Sequence, residues 1–287
     1  MFFIRRIKLF GLIIFLGGAV FIWLAVFEQT SDGILEITFF DIGQGDAIFI
    51  ETPSGKQILI DGGPDKSVLE KLGQEMSFYD RTIDLVISTH PDADHLTGLI
   101  EVLSYYKIDH ILTSGLEKDT VVYQKWKELI EQNQIPLTLA QAGQDIILEE
   151  GIVFKILWPE QSLLNSYSSP SNNVSIVGRL VYGETEIILT GDIEKKVENY
   201  LINQNWNLES DILKVAHHGS KTSTNNNFLK VVNPTVAVIS VGAGNHYNHP
   251  SQEVLERIKD ILTYRTDKDG DIKVLTDGIL FDIIIEE

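Results

Sequence analysis

The 287-residue chain predicts a four-layer α/β fold, two sheets packed face to face with helices on their outer faces. Two observations predict it. Short β-branched runs alternate with amphipathic helical stretches, and strand-rich stretches followed by helices occur in both halves of the chain. In the first half, 34–40, 47–51, 57–61 and 85–89 read as strands, and helical patterns fit 67–75, 97–106 and 121–133. In the second half, 174–182, 186–190, 212–216, 236–241 and 272–276 read as strands, and 194–203 and 251–262 as helices. Beyond Thr30 there is no Pro/Gly/Ser-rich linker, low-complexity tract or internal repeat, so residues 31–287 are read as one domain. Periodicity alone leaves the strand order open.

Residues 1–30 read differently. The nineteen residues from Leu9 to Phe27 carry no charge and, as a helix, would span about 28 Å, close to the thickness of a bilayer core. Arg5, Arg6 and Lys8 precede the run and Glu28 and Asp32 follow it. The positive-inside bias then keeps the N-terminus cytoplasmic and places the body outside the cell membrane as a single-pass protein. The alternative is a secreted chain after signal cleavage near Gly17 and Ala19, but the apolar run continues through Phe21, Trp23 and Phe27.

Composition narrows the chemistry. At 44% hydrophobic and 22% charged the chain is not of the disordered class, and with no Cys it has no disulfide scaffold, thiolate zinc site or cysteine nucleophile. Oxygen and imidazole must do the work. The formal net charge of −18 repels polyanions and offers no basic stripe for nonspecific nucleic-acid binding, so a phosphate-bearing substrate would need a local attraction.

Six of the seven histidines fall in pairs: His90 and His95, His217 and His218, His246 and His249. The densest tract is Ser88-Thr89-His90-Pro91-Asp92-Ala93-Asp94-His95, directly after the strand-like run 83–87. Alternate side chains of an extended segment share a side, so His90 and Asp92 can bind one ion together, while Asp94 and His95 turn toward a neighbouring position as a helix begins at Leu96. A polar loop with an Asp helix cap explains one acid but not two between two histidines. A second candidate is Thr190-Gly191-Asp192 at a strand end, where Asp192 alone reads as an N-cap. A third is Leu213-Lys214-Val215-Ala216-His217-His218-Gly219-Ser220, in which adjacent strand side chains point opposite ways and only one His reaches a given metal.

These motifs in this order, followed by Asn245-His246-Tyr247-Asn248-His249-Pro250, resemble the metallo-β-lactamase fold superfamily. Within it the chain is most similar to the soluble hydrolase-like domain of the ComEC-type competence DNA-uptake proteins, which Phe40-Asp41-Ile42-Gly43-Gln44-Gly45-Asp46-Ala47 and Leu59-Ile60-Asp61-Gly62-Gly63 also match. The resemblance covers nearly everything after Thr30. It implies an αββα sandwich with its site along the sheet edge and a binuclear metal-dependent hydrolase using two divalent ions, zinc or manganese. His90 and Asp92 would hold one ion, and Asp94, His95 and one of His217 and His218 the other, with Asp192 bridging. The resemblance implies His217 as the ligand of the pair, and Asp94, Asp192 and His218 as the catalytic groups. Lys214, Ser220, Lys221, His249 and Asn173 are substrate-binding candidates.

Two departures from the superfamily pattern bear on the metal. Asp92 stands where the second His of H-x-H-x-D-H belongs, and Asn172 and Asn173 lie where the third-motif His is usual; oxygen and amide groups there favour harder ions than a three-His zinc site. The competence transporters also carry a multi-helix channel, whereas this chain has one candidate span. The expected reaction is hydrolysis of a phosphodiester, in DNA or an envelope polymer. The same ions could open a lactam, lactone or thioester, and a metal-retaining assembly protein without turnover is the reading from another class. Two motifs are decoys. Gly43-Gln44-Gly45 resembles a dinucleotide fingerprint but has Ile48 at the last glycine position, and Asp267-Lys268-Asp269-Gly270-Asp271 resembles a calcium loop but has Ile272 at its glycine position and reads as a hairpin turn.

Overall fold

The computed structural model describes residues 11, 14–21 and 33–286. Its strands gather into two large sheets. The first runs, in spatial order, Phe281–Glu286, Asp271–Thr276, Leu35–Phe39, Ile48–Glu51, Gln57–Ile60, Leu85–Ser88, Ile111–Thr113 and Leu137–Leu139. The second runs Leu262–Arg265, Val236–Ile239, Ile212–Lys214, Thr185–Leu189, Val177–Tyr182, Ile152–Trp158 and Asp145–Glu149. Each sheet is antiparallel on one side and parallel on the other. The parallel part of the first begins at Gln57–Ile60 beside Leu85–Ser88, and that of the second at Thr185–Leu189 beside Ile212–Lys214. Parallel neighbours need crossover connections, and helices supply most of them. Ser67–Glu75, Ala93–Tyr105 and Val121–Asn133 serve the first sheet, and Lys195–Ile202, Asn226–Val232 and Gln252–Arg257 the second.

Period-2 alternation explains how both faces of these strands are covered. Ile58 and Ile60 join Phe154, Leu180, Ile187 and Leu189 in the core between the sheets. Leu59 points the other way, with Val86, onto Leu72, Leu99 and Val102 of the helices. On the second sheet Ile188 and Leu213 face outward onto Val197, Leu201 and Phe228. Strands buried on both faces read as nearly continuous apolar runs, which is why they stand out in the sequence. The result is the four-layer helix–sheet–sheet–helix sandwich that the sequence predicts.

One close approach positions the site. The Ala93–Tyr105 helix lies directly on the turn after Gln57–Ile60: Gly62 N–H donates to His95 O at 2.8 Å and Gly98 N–H to Gly63 O at 3.0 Å. A Cβ on Gly98 would sit 1.8 Å from Gly62 O, so only glycine permits this seam.

Several boundaries differ from the sequence reading. The helix expected at 97–106 starts at Ala93, which puts Asp94 and His95 on its first turn. The strand expected from 174 starts at Val177, because Ser171–Val174 form a tight 3-10 turn. The segment 216–219 is not strand: His217 and His218 have φ of 52° and 53° in a left-handed turn. Thr266–Asp269 is a short helical turn joining the second sheet to the first, not a hairpin. Among the described residues no helix is long and apolar enough to cross a membrane; most of the 9–27 run expected to do so lies outside them.

Candidate metal centre

Parallel strands end on a common edge, and in open α/β sheets that carboxyl edge is where ligands bind. Here five such ends converge: Asp61 follows Gln57–Ile60, His90 follows Leu85–Ser88, Asp192 follows Thr185–Leu189, His218 follows Ile212–Lys214, and Ser240 follows Val236–Ile239. Asp94, His95, Asp192 and His218 each bring one ligand-type atom within 4.8 Å of all the others. Asp192 Oδ2 lies 3.3 Å from both His95 Nε2 and His218 Nε2, and Asp94 Oδ2 lies 3.6 Å from His218 Nε2. The rings of His90 and His95 lie with centroids 4.2 Å apart, tilted by 54°, and Asp92 Oδ2 is 4.0 Å from His90 Nε2.

Hydrogen bonds behind the rings set their tautomers. Asp61 can only accept, and it takes Thr89 N–H at 2.8 Å, Thr89 Oγ1–H at 2.6 Å and His95 Nδ1–H at 2.8 Å. With its proton committed to Asp61, the Thr89 hydroxyl accepts from His90 Nδ1 at 3.1 Å. His218 Nδ1 donates to Ser240 O at 2.9 Å. Each ring therefore offers its Nε2 to the cluster, the arrangement that metal-binding histidines adopt. Nε2 of His90, His95 and His218 and Oδ1 of Asp192 are all buried without a hydrogen-bond partner. Buried polar atoms are normally satisfied, and three of these orphans, on His95, Asp192 and His218, belong to one cluster, which fits a divalent cation.

The electrostatics point the same way. Burial, the largest single influence, pushes His95 and His218 down, but the carboxylates together outweigh it, Asp192 and Asp61 for the first and Asp192 and Asp46 for the second, so both rings stand well above the ordinary imidazole range. Burial pushes Asp192 and Asp94 up, yet the adjoining His218 and His95 hold Asp192 well below the carboxylate range and Asp94 at about 2. The cluster demands positive charge. His90, by contrast, is pushed down by burial and by His95.

Neither acid is a helix cap in the ordinary sense. Asp92 occupies the N-cap position of Ala93–Tyr105 but accepts no hydrogen bond from it; its Oδ1 meets Lys118 Nζ at 2.6 Å instead. The Lys195–Ile202 helix has Glu194, not Asp192, at its N-cap.

The remaining candidates divide. Of the His pair, His218 joins the cluster, whereas His217 Nε2 is 3.0 Å from Asn172 Nδ2 and 3.9 Å from Asp192. His249 lies with its ring 5.6 Å from that of His217 and is pushed down to about 4 by burial and by His217 and His218. Ser220, Lys221, Tyr247 and His249 line an adjoining pocket of about 370 Å³. Asn173 is buried with both ends of its amide bonded to Glu194. Lys214, expected to contact substrate, is 1% exposed with its Nζ 2.6 Å from Asp46 Oδ2. Sequence reasoning assigns no role to Asp46, Asp61 or Lys118. Asp61 had a signal, an acid directly after an apolar strand; Lys118 had none.

Residues 40–243 match the metallo-beta-lactamase superfamily. ComE operon protein 3 of Bacillus subtilis (strain 168) is 32% identical over 85% of the chain and 33% of its own length. Competence protein ComA of Neisseria gonorrhoeae is 27% identical over 85% of the chain and 32% of its own length. The chain thus spans about a third of these relatives. Among solved structures, Igni18, a metallo hydrolase from the archaeon Ignicoccus hospitalis KIN4/I, superposes with a TM-score of 0.54 at 15% identity, covering 84% of this chain and 98% of that one; the likeness is one of fold.

Proposed function

The chain belongs to the metallo-β-lactamase superfamily, and we propose that it is a metal-dependent hydrolase of phosphodiesters in the ComEC-type branch, anchored by residues 1–30 with residues 31–287 outside the cell. The observation that carries the reading is the pair of orphaned Nε2 atoms, of His95 and His218, turned by their own hydrogen bonds toward Asp192, with the orphaned Nε2 of His90 on the ring beside His95. Asp94, His95, Asp192 and His218 would hold one ion, and His90 and Asp92 a second, with Asp192 between them. Bound divalent ions there would lower the pKa of water and offset charge at the attacked centre.

The chain's own groups do the rest. Asp61 and Ser240 O hold protons on the Nδ1 atoms of His95 and His218, so that the Nε2 lone pairs face inward. Lys118 at Asp92 and Lys221 in the adjoining pocket supply the local positive charge that a phosphate needs against an acidic surface. The relative from Neisseria gonorrhoeae is a competence protein, which supports the branch, and Asp92 in place of an imidazole suits manganese as well as zinc. The charge-free run after Arg5, Arg6 and Lys8 supports the anchor.

Turnover of bis(p-nitrophenyl) phosphate, a β-lactam and a lactone, each with manganese, with zinc and after chelation, tests the reaction. Metal-dependent cleavage of the phosphodiester is expected. Cleavage of only the lactam or lactone, or retention of metal with no turnover, refutes it. For the anchor, protease added to intact cells or protoplasts should digest the body, and digestion only after lysis refutes that arrangement.

A further inference from the structure

Behind the cluster, on the side away from solvent, lies an ion pair that touches no outer surface. Lys214 and Asp46 are each 1% exposed and 2.6 Å apart. Asp46 Oδ1 stands 3.4 Å from His218 Nδ1, and its Oδ2 3.8 Å from His95 Nδ1. Lys214 Nζ also lies 3.4 Å from Gly191 O and from Val215 O, the carbonyls just before Asp192 and just before the turn that carries His217 and His218. Thr190 Oγ1–H donates to Lys214 O at 2.7 Å, tying the same two strand ends together. The space beside the pair is about 10 Å³, room for one water at most.

A buried ammonium is costly unless its partners are fixed, and removing one member of a buried pair leaves the other charge uncompensated. What this pair accomplishes is visible in its neighbours. One positive charge anchors a carboxylate against the back of two rings, and the same charge meets the backbone just before Asp192 and just before the turn that carries His218. We infer that Lys214 is a positioning residue of the metal centre, holding Asp46 behind His218 and His95 and fixing the strand ends that present Asp192 and His218. The role rests on the reading of the cluster as metal-binding. Groups that back a ligating histidine are worth 10–100-fold in metal affinity.

The test is calorimetric titration of the metal-free full chain with zinc and with manganese, beside thermal unfolding without metal and steady-state kinetics. Lys214→Met keeps the aliphatic stem and removes the charge; it is expected to weaken metal binding about 10–100-fold. The double variant Lys214→Met/Asp46→Asn removes both charges, so it is expected to regain thermal stability while metal binding stays at least about 10-fold weaker. A pair that only stabilises the fold would regain metal affinity together with stability, which overturns the role. Unchanged metal affinity with a raised KM in Lys214→Met overturns it in favour of substrate contact. If Lys214→Met does not fold, the double variant decides alone. Failure of the wild-type chain to bind either ion overturns the metal centre itself, whereas wild-type binding with equal affinity in both variants overturns only the role of Lys214.

Discussion

Gly98 sits in the middle of the Ala93–Tyr105 helix, where intrinsic propensity favours alanine over glycine by about 1 kcal/mol. The structure reverses that expectation. An added Cβ would stand 1.8 Å from Gly62 O and 2.6 Å from Asp65 O, where ordinary contact begins at 3.4 Å, and the obstacle is backbone that no rotamer change can clear. The helix must retreat, and the two hydrogen bonds across the seam, Gly62 N to His95 O and Gly98 N to Gly63 O, stretch with it. Two such bonds contribute about 1 kcal/mol each, and overpacking costs about 1–3 kcal/mol, so after the propensity gain of about 1 kcal/mol Gly98→Ala is expected to destabilise by about 2–4 kcal/mol. For a chain of this size that lowers Tm by about 5–10 °C. The retreat also draws His95 from Asp61, which orients it, and metal affinity is expected to fall about 10-fold or more. Thermal unfolding without metal and a zinc titration read the two effects. An unchanged or raised Tm would show that the seam is not close-packed and would refute the reasoning.

Three further outcomes are expected. Asp192→Asn keeps the shape of the side chain but removes the charge between His95 and His218, and should cost at least about 100-fold in turnover at saturating metal; near-wild-type turnover contradicts a bridging role. Asp94→Ala or His95→Ala should each lose about one bound ion by elemental analysis with the far-UV spectrum retained, and unchanged metal content in both contradicts the assignment. Glu198, buried under the Thr224–Asn225 turn, is pushed up to about 7 by burial against the N–H groups it accepts. Its folded value exceeds its unfolded one, so its contribution is full below about 4.5 and is lost as pH rises through about 7, at most about 3 kcal/mol. Glu198→Gln should therefore gain stability relative to wild type between pH 5 and pH 8, and parallel stability curves would count against it.

The central strands and the ligand tract were legible because one cause produces both signals. A strand buried on two faces must be apolar throughout, and its carboxyl end is the place where polar groups can gather, as at Leu85–Ser88 followed by His90. Strands outside the reading fail for different reasons. Ile111–Thr113 and Leu137–Leu139 are too short to show a period and exist because a neighbour pairs with them. Leu262–Arg265 lies where helical spacing continues past Arg257, but parallel pairing with Val236–Ile239 claims the segment. Ile152–Trp158, with alternating burial over its first five residues, was open to the same reasoning that found the others. At the site, alternation could not rank His217 and His218, because both lie in a left-handed turn to which strand geometry does not apply. Burial of Lys214 was equally invisible, since a lysine at a strand end carries no mark of the sheet that will cover it.

The atoms of the cluster come from both sheets, with Asp94 and His95 beside the first and Asp192 and His218 at the ends of the second. They meet only when segments about a hundred residues apart in the chain have docked. Closing so long a loop comes late in folding, so an ion has no complete seat on the emerging chain until the second sheet is made. A divalent ion should then act as a rivet set after assembly: it would leave the refolding rate nearly unchanged and slow unfolding, because the two sheets could not slide apart without first releasing it.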